Sequence, residues 1–148
     1  MRPAGPDLPV TVVEDSDEDF VALNRVLRMA FPHLRVTRYR CGEDLLEQLA
    51  RRDERLPALI VLDLNLPGLD GREVLRRLRE APRTRHVPIV ILSTSSHPRD
   101  VRLCYEQGAN AYHVKAMDFG AFREGVETFI RYWLERVRLP VPQEMEQP

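Results

Sequence analysis

Apolar residues along the chain fall into two alternating rhythms. Short apolar runs occur at Val10–Val13, Leu34–Tyr39, Leu59–Leu62, Ile89–Leu92 and Ala111–Val114. Several are rich in Val and Ile, and three are apolar at consecutive positions, as strands buried on both faces should be. An amphipathic stretch follows each run. Phe20, Leu23, Val26, Leu27 and Ala30 share one helical face, as do Leu45, Leu46 and Leu49, and then Val74, Leu75 and Leu78. Val101, Leu103 and Tyr105 form a less regular stripe. The last stripe comprises Phe122, Val126, Phe129, Ile130, Trp133 and Val137, which predicts a helix over 119–138, about 30 Å long. Strands alternating with helices predict an α/β fold, a doubly wound five-stranded parallel sheet. Right-handed crossovers put helices on both of its faces.

Punctuation along the chain agrees with this division. Pro3, Pro6 and Pro9 lie ahead of the first run and Pro140, Pro142 and Pro148 behind the last stripe, whereas Pro32, Pro57, Pro67, Pro82, Pro88 and Pro98 fall between elements. The boundaries expected are an N-terminal tail over 1–9, one domain over 10–138 and a C-terminal tail over 139–148. No internal repeat or Gly/Ser linker divides the chain, and its 148 residues suit one domain.

Composition narrows the function classes. Basic and acidic residues number 22 and 23, for a net charge of −1, which argues against an electrostatic nucleic-acid binder. No apolar run approaches the roughly 20 residues of a membrane span, and the first residues have no apolar signal-peptide segment. Cys41 and Cys104 make neither a disulfide framework nor a metal cluster, so a reducing cytoplasmic setting is expected. All but one of the basic residues are Arg; Lys115 is the exception. One position has kept a compact ammonium where every other carries a planar guanidinium.

Parallel strands share a C-terminal edge, and ligands of open α/β sheets bind outside it. The residues ending the runs are Glu14-Asp15, Asp63, Ser93 and Lys115. The second run ends in Tyr39-Arg40, which offers no obvious chemistry; the sheet order 2-1-3-4-5 puts that strand outermost. Carboxylates converging on one edge repel: a pair about 4 Å apart costs about 4 kcal/mol at an effective dielectric of 20. A hard cation relieves that cost, and an all-oxygen donor set suits Mg²⁺. A carboxylate in such a site can attack phosphorus, with the ammonium and hydroxyl neutralising the transferring group. Phosphoryl transfer therefore uses every member of the set. Asp17, Glu18 and Asp19 are assigned to capping the first helix, with Ser16 and Asp19 as a capping box.

Four segments resemble the response-regulator receiver domain, the CheY-like family of two-component signalling. They are Val12–Asp15, Val61–Gly71, Pro88–Thr94 and Gly108–Lys115. That family has the 2-1-3-4-5 order, so topology and resemblance are one argument. The resemblance implies that Asp63 accepts a phosphoryl group from a phosphohistidine on a sensor histidine kinase. It implies that Asp15, Asp63 and the Asn65 carbonyl hold Mg²⁺, with Glu14 acting through water. Lys115 and Ser93 would hold the phosphoryl oxygens, and Tyr112 would be the aromatic switch. Asn65 and Ser95 would occupy the variable positions that tune phosphoryl lifetime. The chain departs from the pattern at Ala116, where the family has a cis proline; a trans bond and a reshaped loop are expected. Thr94 replaces a smaller residue and is expected to narrow access to Asp63.

No effector is expected after the receiver, and Phe119, Phe129, Tyr132 and Leu134 widen the apolar surface of the last helix. These features predict a homodimer through that helix and neighbouring surface. The long last helix, Ala116 and the absent effector together resemble regulators paired with phytochrome-type histidine kinases. The chain is then no enzyme beyond its own phosphorylation and dephosphorylation. The alternative is a phosphorylation-independent interaction module with a receiver fold. An Asp-nucleophile hydrolase lacks a cap insertion, and a flavin site lacks a glycine-bearing phosphate loop after the first run.

Overall fold

A computed structural model describes residues 8–140 of the chain. The elements run β1 (Pro9–Val13), α1 (Asp17–Ala30), β2 (Arg35–Tyr39), α2 (Gly42–Leu49), β3 (Leu59–Leu62) and α3 (Gly71–Glu80). They continue with β4 (Ile89–Ser93), α4 (Pro98–Glu106), β5 (Ala111–Val114) and α5 (Phe119–Arg131). All strand pairs are parallel, and the sheet order is β2-β1-β3-β4-β5. Val13 is level with Leu62 and Ser93 with Val114, so the strands end together at one edge.

Side-chain alternation splits the core in two. Ile60 and Leu62 of β3, with Ile89 and Ile91 of β4, face Leu45 of α2, Leu75 of α3 and Cys104 of α4. Leu59 and Val61, with Val90 and Leu92, face Leu27 of α1 and Ile130 of α5. The four positions of β3 and the five of β4 are all buried, as a strand covered on both faces requires. Leu8 and Leu139 pack against the α1/α5 side. Pro9, expected in the N-terminal tail, opens β1, and residues 1–7 and 141–148 of the expected tails lie outside the described residues. No helix among the described residues is long and apolar enough to cross a membrane.

Two helical expectations are corrected. The last helix does not run to Arg138: the α-helix ends at Arg131 and a π-turn over Tyr132–Arg136 follows. It closes with the Val137 amide donating to the Tyr132 carbonyl at 3.0 Å. Periodicity reports which face is apolar and not which carbonyl accepts, and Pro140 favours an extended backbone just before it. Phe129 and Leu134 are buried against the sheet, which leaves Phe119 and Tyr132 of the expected wide face exposed. On α4 the inward residue is Cys104, while Tyr105 lies half exposed. Cys104 is therefore a small core residue.

Gly71 at the start of α3 is required by a close approach. A β-carbon there would lie 2.3 Å from the Asp63 carbonyl oxygen and 2.7 Å from the Leu64 α-carbon, both backbone atoms. Gly125 in α5 has no neighbour within 4 Å of such a carbon. Gly71→Ala is thus expected to cost about 2 kcal/mol in urea unfolding. Gly125→Ala should gain about 1 kcal/mol, the helix-propensity difference in an open position. Equal effects of the two would contradict this packing.

Candidate functional site

The strand ends deliver the predicted residues to one place. The Glu14 amide extends the sheet by donating to Tyr39, and the Asp63 amide donates to Val13, at 3.0 and 3.1 Å. Glu14 and Asp63 are buried with 3% and 7% exposure, whereas Asp15 is exposed. One carboxylate oxygen from each of the three lies within 4.8 Å of the others. Lys115 arrives from the end of β5, its amide donating to the Ser93 carbonyl at 2.7 Å. The Lys115–Ala116 bond is trans, as the replacement of proline predicts. The ammonium still reaches the site: Nζ is 2.5 Å from Glu14 Oε1, 3.0 Å from Asp19 Oδ2 and 3.2 Å from Asp63 Oδ2.

The remaining predicted residues frame this centre. The Asn65 amide donates to Asp63 Oδ1 at 3.3 Å. Ser93 is fully buried, and its hydroxyl accepts from the Ser95 amide at 3.2 Å. The Tyr112 hydroxyl donates to the Ser95 carbonyl at 2.8 Å. Thr94 is exposed and stands with Asp19, Lys115, Ala116, Met117 and Phe122 around a cleft of about 280 Å³.

The electrostatics explain what the cluster needs. Burial pushes the Glu14 carboxyl up from 4.5 to about 7; the Lys115 hydrogen bond opposes this and the Asp63 charge adds to it. Burial would lower the Lys115 ammonium, but the hydrogen bond it donates to Glu14 and the charge of Asp63 hold it well above its ordinary range. One ammonium does not balance so many acids, so the site retains a proton or takes a second cation. The donor set of Glu14, Asp15 and Asp63 is all oxygen with no His or Cys, which fits a hard divalent cation.

Several site residues escaped the sequence. Asp19 is one: the Ser16 hydroxyl accepts from its amide at 3.2 Å, so the cap forms. The reciprocal half of the expected capping box does not, because Glu14 Oε2 accepts from the Ser16 amide at 3.3 Å. The Asp19 carboxylate is left to pair with Lys115. Asp17 is also more than a cap residue, pairing with Arg38 and Arg40 at 2.8 and 2.7 Å. A second network joins the Ser95 hydroxyl to Asp100 Oδ2 at 2.6 Å and Arg72 to Asp100 Oδ1 at 2.8 Å. These two contacts hold the Asp100 carboxyl below the usual range. No local spacing pairs Asp19 with Lys115 or Arg72 with Asp100, which lie far apart in sequence.

Residues 10–127 match the family described as the response regulator receiver domain. The chain belongs to this family. The receiver is similar to response regulator Rcp1 of Synechocystis sp., at 33% identity over 141 residues, covering 93% of this chain and 96% of that protein. It is also similar to FilR2 of Methanothrix harundinacea, a probable methanogenesis regulatory protein, at 33% identity over 137 residues, or 90% and 88% of the two chains. A crystal structure of the Mn²⁺-bound form of Rcp1 gives a TM-score of 0.84 at 33% identity, covering 90% of this chain and 99% of that one. The phosphorylated cyanobacterial phytochrome response regulator RcpA gives 0.85 at 30% identity, covering 90% and 98%. The receiver therefore has the flavodoxin-like fold of its structural relatives.

The raised Glu14 carboxyl makes a signed prediction. Between about 4.5 and 7 the folded, ion-free receiver holds a proton that the unfolded chain has released. The Glu14 contribution to stability is therefore present at pH 5 and lost as pH rises through about 7. His113, lowered by burial, works in the opposite direction, so wild type must be compared with Glu14→Gln. Urea unfolding from pH 5 to 8 should show wild type losing stability relative to Glu14→Gln. A constant difference between the two would refute the assignment.

Proposed function

We propose that this receiver is a response regulator whose Asp63 accepts a phosphoryl group from a phosphohistidine on a sensor histidine kinase. The observation that carries this is the Lys115 ammonium, 3.2 Å from Asp63 Oδ2 inside a cluster of acids. An Asp63 oxygen forms a bond to phosphorus as the bond from phosphorus to the donor nitrogen breaks. The electron pair stays with that nitrogen. Lys115 donates to a phosphoryl oxygen, and the buried Ser93 hydroxyl, which accepts from the Ser95 amide and so can still donate through its O–H, donates to another. The proposed cofactor is Mg²⁺, with Asp15, Asp63 and the Asn65 carbonyl as the residues that would hold it and Glu14 acting through water. Bound there, the ion would offset charge on the transferring group. Thr94 at the cleft and its neighbour Ser95, together with Asn65, are the proposed tuning positions for phosphoryl lifetime, and Tyr112 is the proposed switch.

The partner proposed is a kinase of the phytochrome type, supported by the likeness to RcpA and Rcp1 over nine-tenths of this chain. A second copy of the chain is the proposed partner of the surface around α5. Exposed Tyr132, Val114 and Tyr105 support it, although Phe129 and Leu134 are spent on the core. The chemistry proposed is confined to the chain's own phosphorylation and its reversal, in the cytoplasm.

Incubation with Mg²⁺ and acetyl phosphate, followed by intact mass measurement, tests the acceptor. One added phosphoryl group is expected on wild type and none on Asp63→Asn; equal labelling of the two would sink the assignment. Transfer from phosphorylated kinases should favour phytochrome-type donors over unrelated ones, and equal transfer from all would remove the phytochrome pairing.

A further inference from the structure

Lys115 is the one lysine of the chain, and its ammonium has three N–H donors. Each has a carboxylate partner: Glu14 from the end of β1, Asp63 from the end of β3 and Asp19 from the first turn of α1. These legs are not equivalent. Glu14 and Asp63 belong to the trio of acids that fits a divalent cation, together with Asp15, whereas Asp19 stands outside it. Glu14 and Asp63 are nearly inaccessible, and the Asp19 side chain is 48% exposed at the cleft. Once a cation draws on Glu14 and the phosphoryl group occupies Asp63, Asp19 alone keeps its oxygen for the ammonium.

The backbone explains why this chain has use for such a support. Lys115 leads into Ala116 through a trans bond, and Met117 beyond it is fully exposed. Four rotatable side-chain bonds separate the amide tied to Ser93 from the ammonium. Asp19 is well placed to limit that freedom. As the third residue of α1 its Cα–Cβ bond tilts toward the helix N-terminus, over the strand ends. The Ser16 hydroxyl fixes its amide.

We infer that Asp19 is a positioning residue for phosphoryl transfer, holding the Lys115 ammonium over Asp63 after Glu14 is claimed by the cation. This rests on the proposed acceptor role of Asp63 and deepens it. With acetyl phosphate, an Asp63 oxygen bonds to phosphorus while the bond from phosphorus to the acetyl oxygen breaks, and acetate leaves with the electron pair. No proton moves, and Lys115 remains an ammonium donating to a phosphoryl oxygen.

The test compares wild type, Asp19→Ala, Glu18→Ala and Asp63→Asn at saturating Mg²⁺ with acetyl phosphate. Glu18→Ala removes the same charge from the same helical turn without touching Lys115. Asp19→Ala is expected to take up phosphoryl about tenfold more slowly, a loss typical of a misplaced reacting group. Its Mg²⁺ affinity should stay within twofold of wild type, and Glu18→Ala should match wild type throughout. In ¹⁵N-lysine-labelled protein the single ammonium resonance reports the tether directly. It should be sharp in Mg²⁺-loaded wild type and Glu18→Ala, and broadened by solvent exchange in Asp19→Ala. A wild-type rate in Asp19→Ala overturns the inference. So does a faster rate, which would mean that the carboxylate merely repels the anionic donor, or an unchanged resonance. Failure of wild type to accept phosphoryl would instead defeat the acceptor reading beneath it, whereas labelling of wild type with no effect at Asp19 removes this inference alone.

Discussion

The molecule depends on a charge imbalance built into the edge of a sheet. Carboxylates that meet in a partly dry site repel by several kcal/mol per close pair, and a lone ammonium cannot neutralise them all. The fold imposes the encounter: β1 and β3 are neighbours at the centre, β4 and β5 follow in order, and all end level. Glu14, Asp63, Ser93 and Lys115 therefore line up along one rim because the strands that end in them lie side by side. The hydrophobic burial of Ile60, Leu62, Ile89 and Ile91 offsets the cost of holding these charges together.

Ser93 connects this rim to the outer surface. Its hydroxyl is occupied by the Ser95 amide, the Ser95 carbonyl by Tyr112, and the Ser95 hydroxyl by Asp100, which is in turn paired with Arg72. The β4–α4 loop is thus stitched to β5, α4 and α3 by a few polar contacts. Accepting from the Ser95 amide leaves the Ser93 O–H able to donate, so a group at the rim disturbs the first stitch, and through it the rest, only by drawing the hydroxyl out of place.

The strands and the rim were legible because both depend on local sequence. A run such as Leu59–Leu62 has to be buried on both faces, and the residue after it, Asp63, has to stand at the edge. What stayed hidden depends on partners distant in sequence. Asp19 matched a capping pattern, and the cap does form through Ser16; its second role with Lys115 is visible only once β5 is placed beside β4. Cys104 takes the inward place expected of Tyr105 because α4 is short and its apolar residues do not define a single stripe. The end of α5 was overrun for a related reason: Trp133 continues the stripe of Phe129 and Ile130 past the last α-helical bond.

Gly71 gives the site a direction of yielding. Its missing side chain lets the first turn of α3 rest against the Asp63 carbonyl, and its amide donates to Leu64 at 3.0 Å, so that flank is backbone wedged against backbone. The opposite flank, around exposed Thr94 and half-buried Ser95, has a backbone bond to Lys115 only at Ser93 among those described, and beyond it side-chain hydrogen bonds tie Ser95 to Ser93 and Asp100. Bulk added at the acidic rim would meet a stiff wall on the one hand and a hinge on the other. Displacement would be funnelled toward α4, giving an isotropic chemical load a one-sided mechanical outlet.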